Sequence, residues 1–195
     1  MHQSAHFLIL FSITAGALLS ACDGGTEGAP RALLVDLDGV VVDPLTDSKA
    51  KAVVLLFARS DCPISNRYAP EVKRLYAEFA PRGVAFWLVY PVARDTSEVI
   101  RKHVQAYEYP FRVARDPGHA WVRKTGVKVT PEAVVFRPGG QLAYRGRIDD
   151  WYVDFGKARS KPGERDLQNA LTAILEGKPV PRPRTGAVGC FISEL

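Results

Sequence analysis

The chain carries three cysteines and four histidines, and one cysteine, Cys62, stands where simple packing gives no reason for it. The continuous apolar run Ala52 to Phe57 ends shortly before it, and Pro63, the residue type favoured at the first helical position, follows directly. Unpaired amides at a strand-to-helix junction stabilise an anion, so the Cys62 thiol is expected to ionise readily and to act as a nucleophile. Arg59 and Arg67 favour the thiolate while Asp61 opposes it, which leaves the sign of the net shift open. Cys190 is the candidate partner. The Pro-rich stretch from Lys178 to Cys190 spans about 37 Å when extended, against a domain diameter near roughly 40 Å, so contact between Cys62 and Cys190 is within reach. Cys62 would attack a substrate disulfide or oxidant, and Cys190 would resolve the mixed disulfide or sulfenic acid. Two alternatives stay open for Cys190: packing inertly with Phe191 and Ile192, or joining another molecule.

The elements that position these residues alternate between strand-like and helix-like segments from Ala32 onward, which predicts an α/β domain with a largely parallel sheet. Ala52 to Phe57 and Val84 to Tyr90 read as strands covered on both faces. Between them Ile64, Tyr68, Val72, Leu75, Tyr76 and Phe79 form one helical stripe. Asp95 and Glu98 predict a capped start for a helix carrying Val99, Ile100, His103, Val104 and Tyr107. Asp116-Pro117 opens a further helix that Gly126 closes. Glu132 to Phe136 and Gln141 to Arg145 flank Pro138-Gly139-Gly140 as a hairpin. The last helix places Leu167, Leu171, Ile174 and Leu175 on one face and stops at Gly177.

Composition narrows the function classes. Hydrophobic residues make up 47% and charged residues 24%, values of an ordinary globular domain. The net charge of +5 comes from 26 basic and 21 acidic residues interspersed along the chain, without the basic blocks that grip nucleic acid, so no nucleic-acid partner is expected.

The apolar run Phe7 to Ala21 is shorter than the roughly 20 residues of a membrane-spanning helix and closes on Leu19-Ser20-Ala21-Cys22. An export signal over residues 1–21 is expected. The small residues before the cysteine resemble a bacterial lipobox. In that pattern Cys22 is lipidated, becomes the mature N-terminus and anchors an extracytoplasmic protein on the periplasmic side of a membrane. Met1 to His6 contains no Lys or Arg, so plain cleavage or an unprocessed start stays open. Residues 22–31 read as a Gly-rich tether, 32–178 as the folded domain, and 179–195 as a Pro/Arg-rich tail carrying Cys190.

Three motifs in order, Cys62-Pro63-Ile64-Ser65, Val129-Thr130-Pro131 and Tyr144-Arg145-Gly146-Arg147-Ile148-Asp149, resemble the thioredoxin-like redoxins of the alkyl hydroperoxide reductase/thiol-specific antioxidant superfamily. The resemblance covers roughly residues 51–178 and is nearest to a Cys-Pro-Ile-Ser subgroup with a late cysteine. It implies a thioredoxin-like fold, a central mixed sheet flanked by helices on both faces, and an oxidoreductase acting on thiols, disulfides or peroxides. It also implies a cis bond before Pro131, a substrate groove formed by Pro63, Ser65, Thr130 and Pro131, and Arg59, Arg67 and Arg147 as auxiliary groups. The implied partners are protein thiols or disulfides or a peroxide, with a separate thiol reductant, and neither a cofactor nor a metal. Ser65 stands where a dithiol thioredoxin has its second cysteine. Leu55 and Arg59 stand where peroxiredoxins have Pro and Thr/Ser, which argues against peroxide reduction in the usual peroxiredoxin manner.

Other readings use other residues. A redox-inactive module would dock a peptide between Cys62 and Pro131. A copper-handling module would bind soft metal through Cys62, Cys190 and His119, although Asn66 replaces the second cysteine of that pattern, and an exposed helix-start histidine is the plain reading of His119. His103, on an apolar stripe, reads as a packed core residue, and Trp87 and Trp121 as core. Leu33-Leu34-Val35-Asp36-Leu37-Asp38-Gly39 resembles the first motif of haloacid-dehalogenase-like phosphatases, with Asp149-Asp150 as metal carboxylates. The preferred reading of Asp38-Gly39 is a hairpin turn.

Overall fold

The computed structural model describes His2 and residues 32–47 and 49–192. Apart from His2, the expected export signal, the tether and Cys22 lie outside the described residues. A short hairpin, β1 (Leu34–Val35) and β2 (Val41–Val42), leads into β3 (Ala52–Phe57). There follow α1 (Pro63–Arg67), α2 (Ala69–Phe79), β4 (Val84–Tyr90), α3 (Ser97–Tyr107), β5 (Arg112–Arg115) and α4 (Ala120–Thr125). The chain continues through β6 (Val129–Thr130), β7 (Glu132–Phe136), β8 (Leu142–Gly146), β9 (Tyr152–Asp154), β10 (Lys157–Ala158), α5 (Asp166–Leu175) and β11 (Cys190–Phe191).

Seven strands form one sheet in the order β2-β1-β5-β4-β3-β7-β8. Only β3–β4 and β4–β5 run parallel, so the sheet is mixed rather than largely parallel. The tight hairpin through Pro138–Gly140 forces β8 antiparallel to β7, and β7 itself runs against β3. All six β3 residues are buried, and their alternation divides the core. Ala52, Val54 and Leu56 join a cluster with residues of α1, α2, α3 and α5, whereas Val53, Leu55 and Phe57 face Trp121 and Val122 of α4. His103, Trp87 and Trp121 are buried, as expected.

Three local expectations are corrected. The stripe after Cys62 is carried by two helices broken at Tyr68, because Pro70 enters the first turn of α2 without an N–H. Thr96, not Asp95, caps α3, with its hydroxyl accepting from Val99 N at 3.3 Å. Asp116 does not begin α4; it lies outside the helix and accepts from Trp121 N and Val122 N at 3.0 and 2.9 Å.

Residues 179–192 run back along the domain. Arg145 N donates to Pro183 O and Thr185 N to Arg145 O, the Thr185 hydroxyl accepts from Arg147 N, and β11 pairs antiparallel with β6. Ile192 is buried in the α4-side cluster, with its N–H on Lys128 O. Two glycines allow this approach: a methyl group on Gly146 would overlap Thr185, and one on Gly189 would overlap the carbonyl of Thr130.

Candidate active site

The loop bearing Cys62 is held from behind by a chain of buried and part-buried polar groups. Asn66 Nδ2 donates to Ser60 O at 3.0 Å, which fixes the amide orientation and leaves Asn66 Oδ1 to accept from His103 Nε2 at 2.8 Å. His103 Nδ1 then accepts from the Tyr90 hydroxyl at 2.7 Å. Burial, opposed by Asp95, holds the His103 pKa below its ordinary value, in keeping with this neutral tautomer. Asp95 accepts from both the amide and the hydroxyl of Ser60, which explains why it is not spent on capping α3.

Cys62 occupies the residue before α1 in an extended conformation, with Pro63 opening the helix and Cys62 O accepting from Asn66 N at 3.0 Å. Its thiol donates to Thr130 O at 3.2 Å. The Thr130–Pro131 bond is cis, as the redoxin resemblance implies. Opposite Thr130 across the β6–β11 ladder sits Cys190, near enough that the two thiols shift each other's acidity. Both are free thiols.

The two sulfurs are electrostatically unlike. Burial raises the Cys62 pKa, but the Cys190 thiol, the amide and hydroxyl of Ser65 and the Cys190 backbone act together against it, and the net value falls below that of an ordinary thiol. The Ser65 hydroxyl is buried and has no other partner, so it is available to the thiolate. Burial pushes Cys190 up, helped by the neighbouring Cys62 thiol, to about 12, with Arg59 opposing. Of the two, Cys62 is therefore the readier to ionise, while Cys190 keeps its proton at neutral pH.

The remaining candidates are distributed unevenly. Thr130, Pro131 and Ser65 are buried and Pro63 is exposed, so these residues lie around the sulfur under β11 rather than along an open groove. Arg59 bonds Asp61 and donates to Phe191 O at 3.0 Å, clamping β11 over the loop. Arg67 donates instead to the Tyr152 hydroxyl, and Arg147 pairs with Asp166. His119 is buried, not exposed, and bonds Pro91 O through Nε2 at 2.7 Å, away from both cysteines. Asp36 accepts from Asp38 N and Val40 N, so it shapes the β1–β2 turn, and Asp38 pairs with Arg101. Asp149 accepts from the Tyr68 hydroxyl and Trp151 N, and Asp150 from Gly163 N and Glu164 N. Neither the copper nor the phosphatase reading gains a site from these placements. Sequence reasoning missed the Asn66–His103–Tyr90 support and the Arg59 clamp, whose partners are far apart in the chain; the glycine at 189 was the one local signal of close approach.

The thiolate should be directly visible. In ultraviolet titrations read against a Cys62→Ser blank, the Cys62 midpoint is expected below about 8.5, the value of a free thiol. A lowered folded pKa extends the anion to lower pH than in a free thiol, and the anion is lost as pH falls through that pKa. Cys190→Ala should move the midpoint up, because β11 still pairs through its backbone while the thiol donor is gone. A parent midpoint at or above that of free cysteine would remove the basis for a nucleophile here.

Comparison with known proteins places this geometry in context. The model of the AhpC/TSA family matches residues 26–145. The thiol-disulfide oxidoreductase ResA of Halalkalibacterium halodurans is 26% identical over 116 residues, which cover 60% of this chain and 64% of that protein. The match thus spans less than two thirds of the curated relative's length. An uncharacterized conserved protein from Geobacillus kaustophilus, 29% identical, superposes with a TM-score of 0.71 over 84% of this chain and 88% of its own. A thioredoxin-like protein from Aeropyrum pernix, 18% identical, shares the fold with a TM-score of 0.54 over 74% of this chain and 88% of its own.

Proposed function

The chain belongs to the AhpC/TSA family, and on that premise we propose that it is an extracytoplasmic thiol-disulfide oxidoreductase in which Cys62 is the nucleophile and Cys190 the resolving thiol. The observation that carries this is the placement of two free thiols about one residue: Cys62, at the head of α1, donates to Thr130 O, and Cys190, delivered by the tail, pairs with Thr130 across the β6–β11 ladder. The relative named a thiol-disulfide oxidoreductase supports the same chemistry.

The Cys62 thiolate attacks one sulfur of a substrate disulfide, forming a mixed disulfide and expelling the other sulfur as a thiolate. With a peroxide it takes one oxygen, becoming a sulfenic acid as the second oxygen leaves as water or alcohol. Cys190, once deprotonated, attacks Cys62 Sγ; a Cys62–Cys190 disulfide forms and the substrate thiol, or water, departs. A separate thiol reductant then restores the dithiol. Ser65 stabilises the attacking anion, and the Thr130–Pro131 backbone borders the place where the substrate sulfur must come. Lipidation at Cys22 would hold this domain on the periplasmic side of a membrane; partitioning of the expressed chain into detergent, lost in Cys22→Ala, tests that part.

Mild oxidation with diamide followed by peptide mapping without reductant is expected to join the Cys62 and Cys190 peptides. Free thiols at both positions after oxidation would overturn the pairing.

A further inference from the structure

A cavity of about 710 Å³ opens beside the second sulfur. Its lining includes Lys128 and Val129, Asp154 at the end of β9 with Phe155 after it, and Cys190 and Phe191 of β11. Its volume is that of a ligand cleft, but its mouth is unlike a closed pocket. Phe155 and Phe191 are 65% and 74% exposed, and both line this one opening. A single exposed apolar side chain needs no explanation. Two aromatic rings flanking one cleft at a redox-competent sulfur have the character of a protein docking site. Lys128 and Asp154 supply one charge of each sign and Arg145 is matched by Glu132, so apolar contact rather than charge selects the occupant. Access to the two sulfurs is unequal: Cys62 is fully covered, whereas Cys190 is half-buried and forms part of the cavity wall.

Building on the Cys62–Cys190 exchange proposed above, we infer that this cavity docks an extended cysteine-bearing segment of a protein dithiol, seating an apolar side chain between Phe155 and Phe191 and bringing the partner's sulfur to Cys190. The step is the reductive half of the cycle. The partner's thiolate attacks Cys190 Sγ, the Cys62–Cys190 bond breaks, and its electron pair leaves on Cys62 as a thiolate. A new disulfide joins the partner to Cys190. The partner's second thiol, deprotonated, attacks the partner's own sulfur in that bond, and Cys190 leaves and takes up a proton. Two electrons pass from the partner, oxidised to its disulfide, to the enzyme, reduced to its dithiol. Leaving-group chemistry points the same way as access, since the more acidic thiol, Cys62, is the better leaving group.

The test uses the full chain oxidised to its disulfide and three probes: acetyl-phenylalanyl-cysteine amide, acetyl-aspartyl-cysteine amide and glutathione. Acid-quenched peptide maps are expected to carry the probe on Cys190. The phenylalanyl probe should open the disulfide about tenfold faster than either of the others, the ratio expected from burying one aromatic side chain in part. Phe155→Ser should abolish most of that preference. Adducts on Cys62, equal rates for the three probes, fastest reduction by glutathione, or a preference that survives Phe155→Ser would each overturn the docking assignment. A chain that never closes the disulfide overturns the proposed function together with this inference. One that closes it but takes the adduct on Cys62 overturns this inference alone.

Discussion

Cys62→Ser is expected to lower turnover with an aromatic disulfide by about a thousandfold or more, because a serine hydroxyl is neither ionised at neutral pH nor able to form a disulfide. The site itself should survive the change. Serine is nearly isosteric, and its hydroxyl inherits the bond to Thr130 O that the thiol makes at 3.2 Å. Thermal stability should therefore stay within about 1 kcal/mol of the parent, which separates loss of the nucleophile from loss of the fold. Cys190→Ser provides the contrast. It keeps a hydroxyl donor opposite Thr130 and leaves the Cys62 sulfur in place, so one equivalent of substrate should react and then stall as a mixed disulfide. Steady turnover by Cys62→Ser within tenfold of the parent would place the chemistry elsewhere.

Gly189→Ala is expected to slow formation of the Cys62–Cys190 disulfide by on the order of a hundredfold, with both sulfurs still in the chain. The added methyl group would overlap the carbonyl of Thr130 and crowd Pro131 N. Those are backbone atoms and cannot swing aside, so β11 must leave β6. Cys190 then becomes a tethered thiol governed by the effective concentration of its tail instead of a held neighbour. Cys62 loses its cover at the same time, so its alkylation should accelerate while its resolution slows. Gly186→Ala, whose methyl group meets open space, should do neither. The two rates, followed by quenched alkylation and mass analysis, must move in opposite directions in Gly189→Ala. A parallel fall would mean general unfolding, and no change would mean that β11 does not control the pair.

Some of this was legible residue by residue. The runs at 52–57 and 84–90 are buried strands with the expected bounds, because continuous apolar β-branched sequence has one stable place, the middle of a sheet covered on both faces. Pro63 and Gly126 mark a helix start and a helix end where expected, since each acts through its own backbone. Expectations failed where a side chain had a choice of partner. Asp95 had a local role open to it at the α3 cap but bonds Ser60, and His119 turns inward to Pro91 O. Neither partner is adjacent in sequence.

The same division governs the function. Residue types and local order in the chain determined that a cysteine heads a helix after a buried strand, that a Thr-Pro pair precedes the edge hairpin, and that a second cysteine lies at the end of a tail long enough to return. Tertiary structure alone decided that the tail does return, that Cys190 faces Thr130, and that the surroundings make Cys62 the more acidic thiol and Cys190 the less acidic one. The physical reason is range: backbone preference and helix capping act over a few residues, whereas a thiol's acidity and access depend on whichever donors and apolar atoms folding brings within a few ångströms.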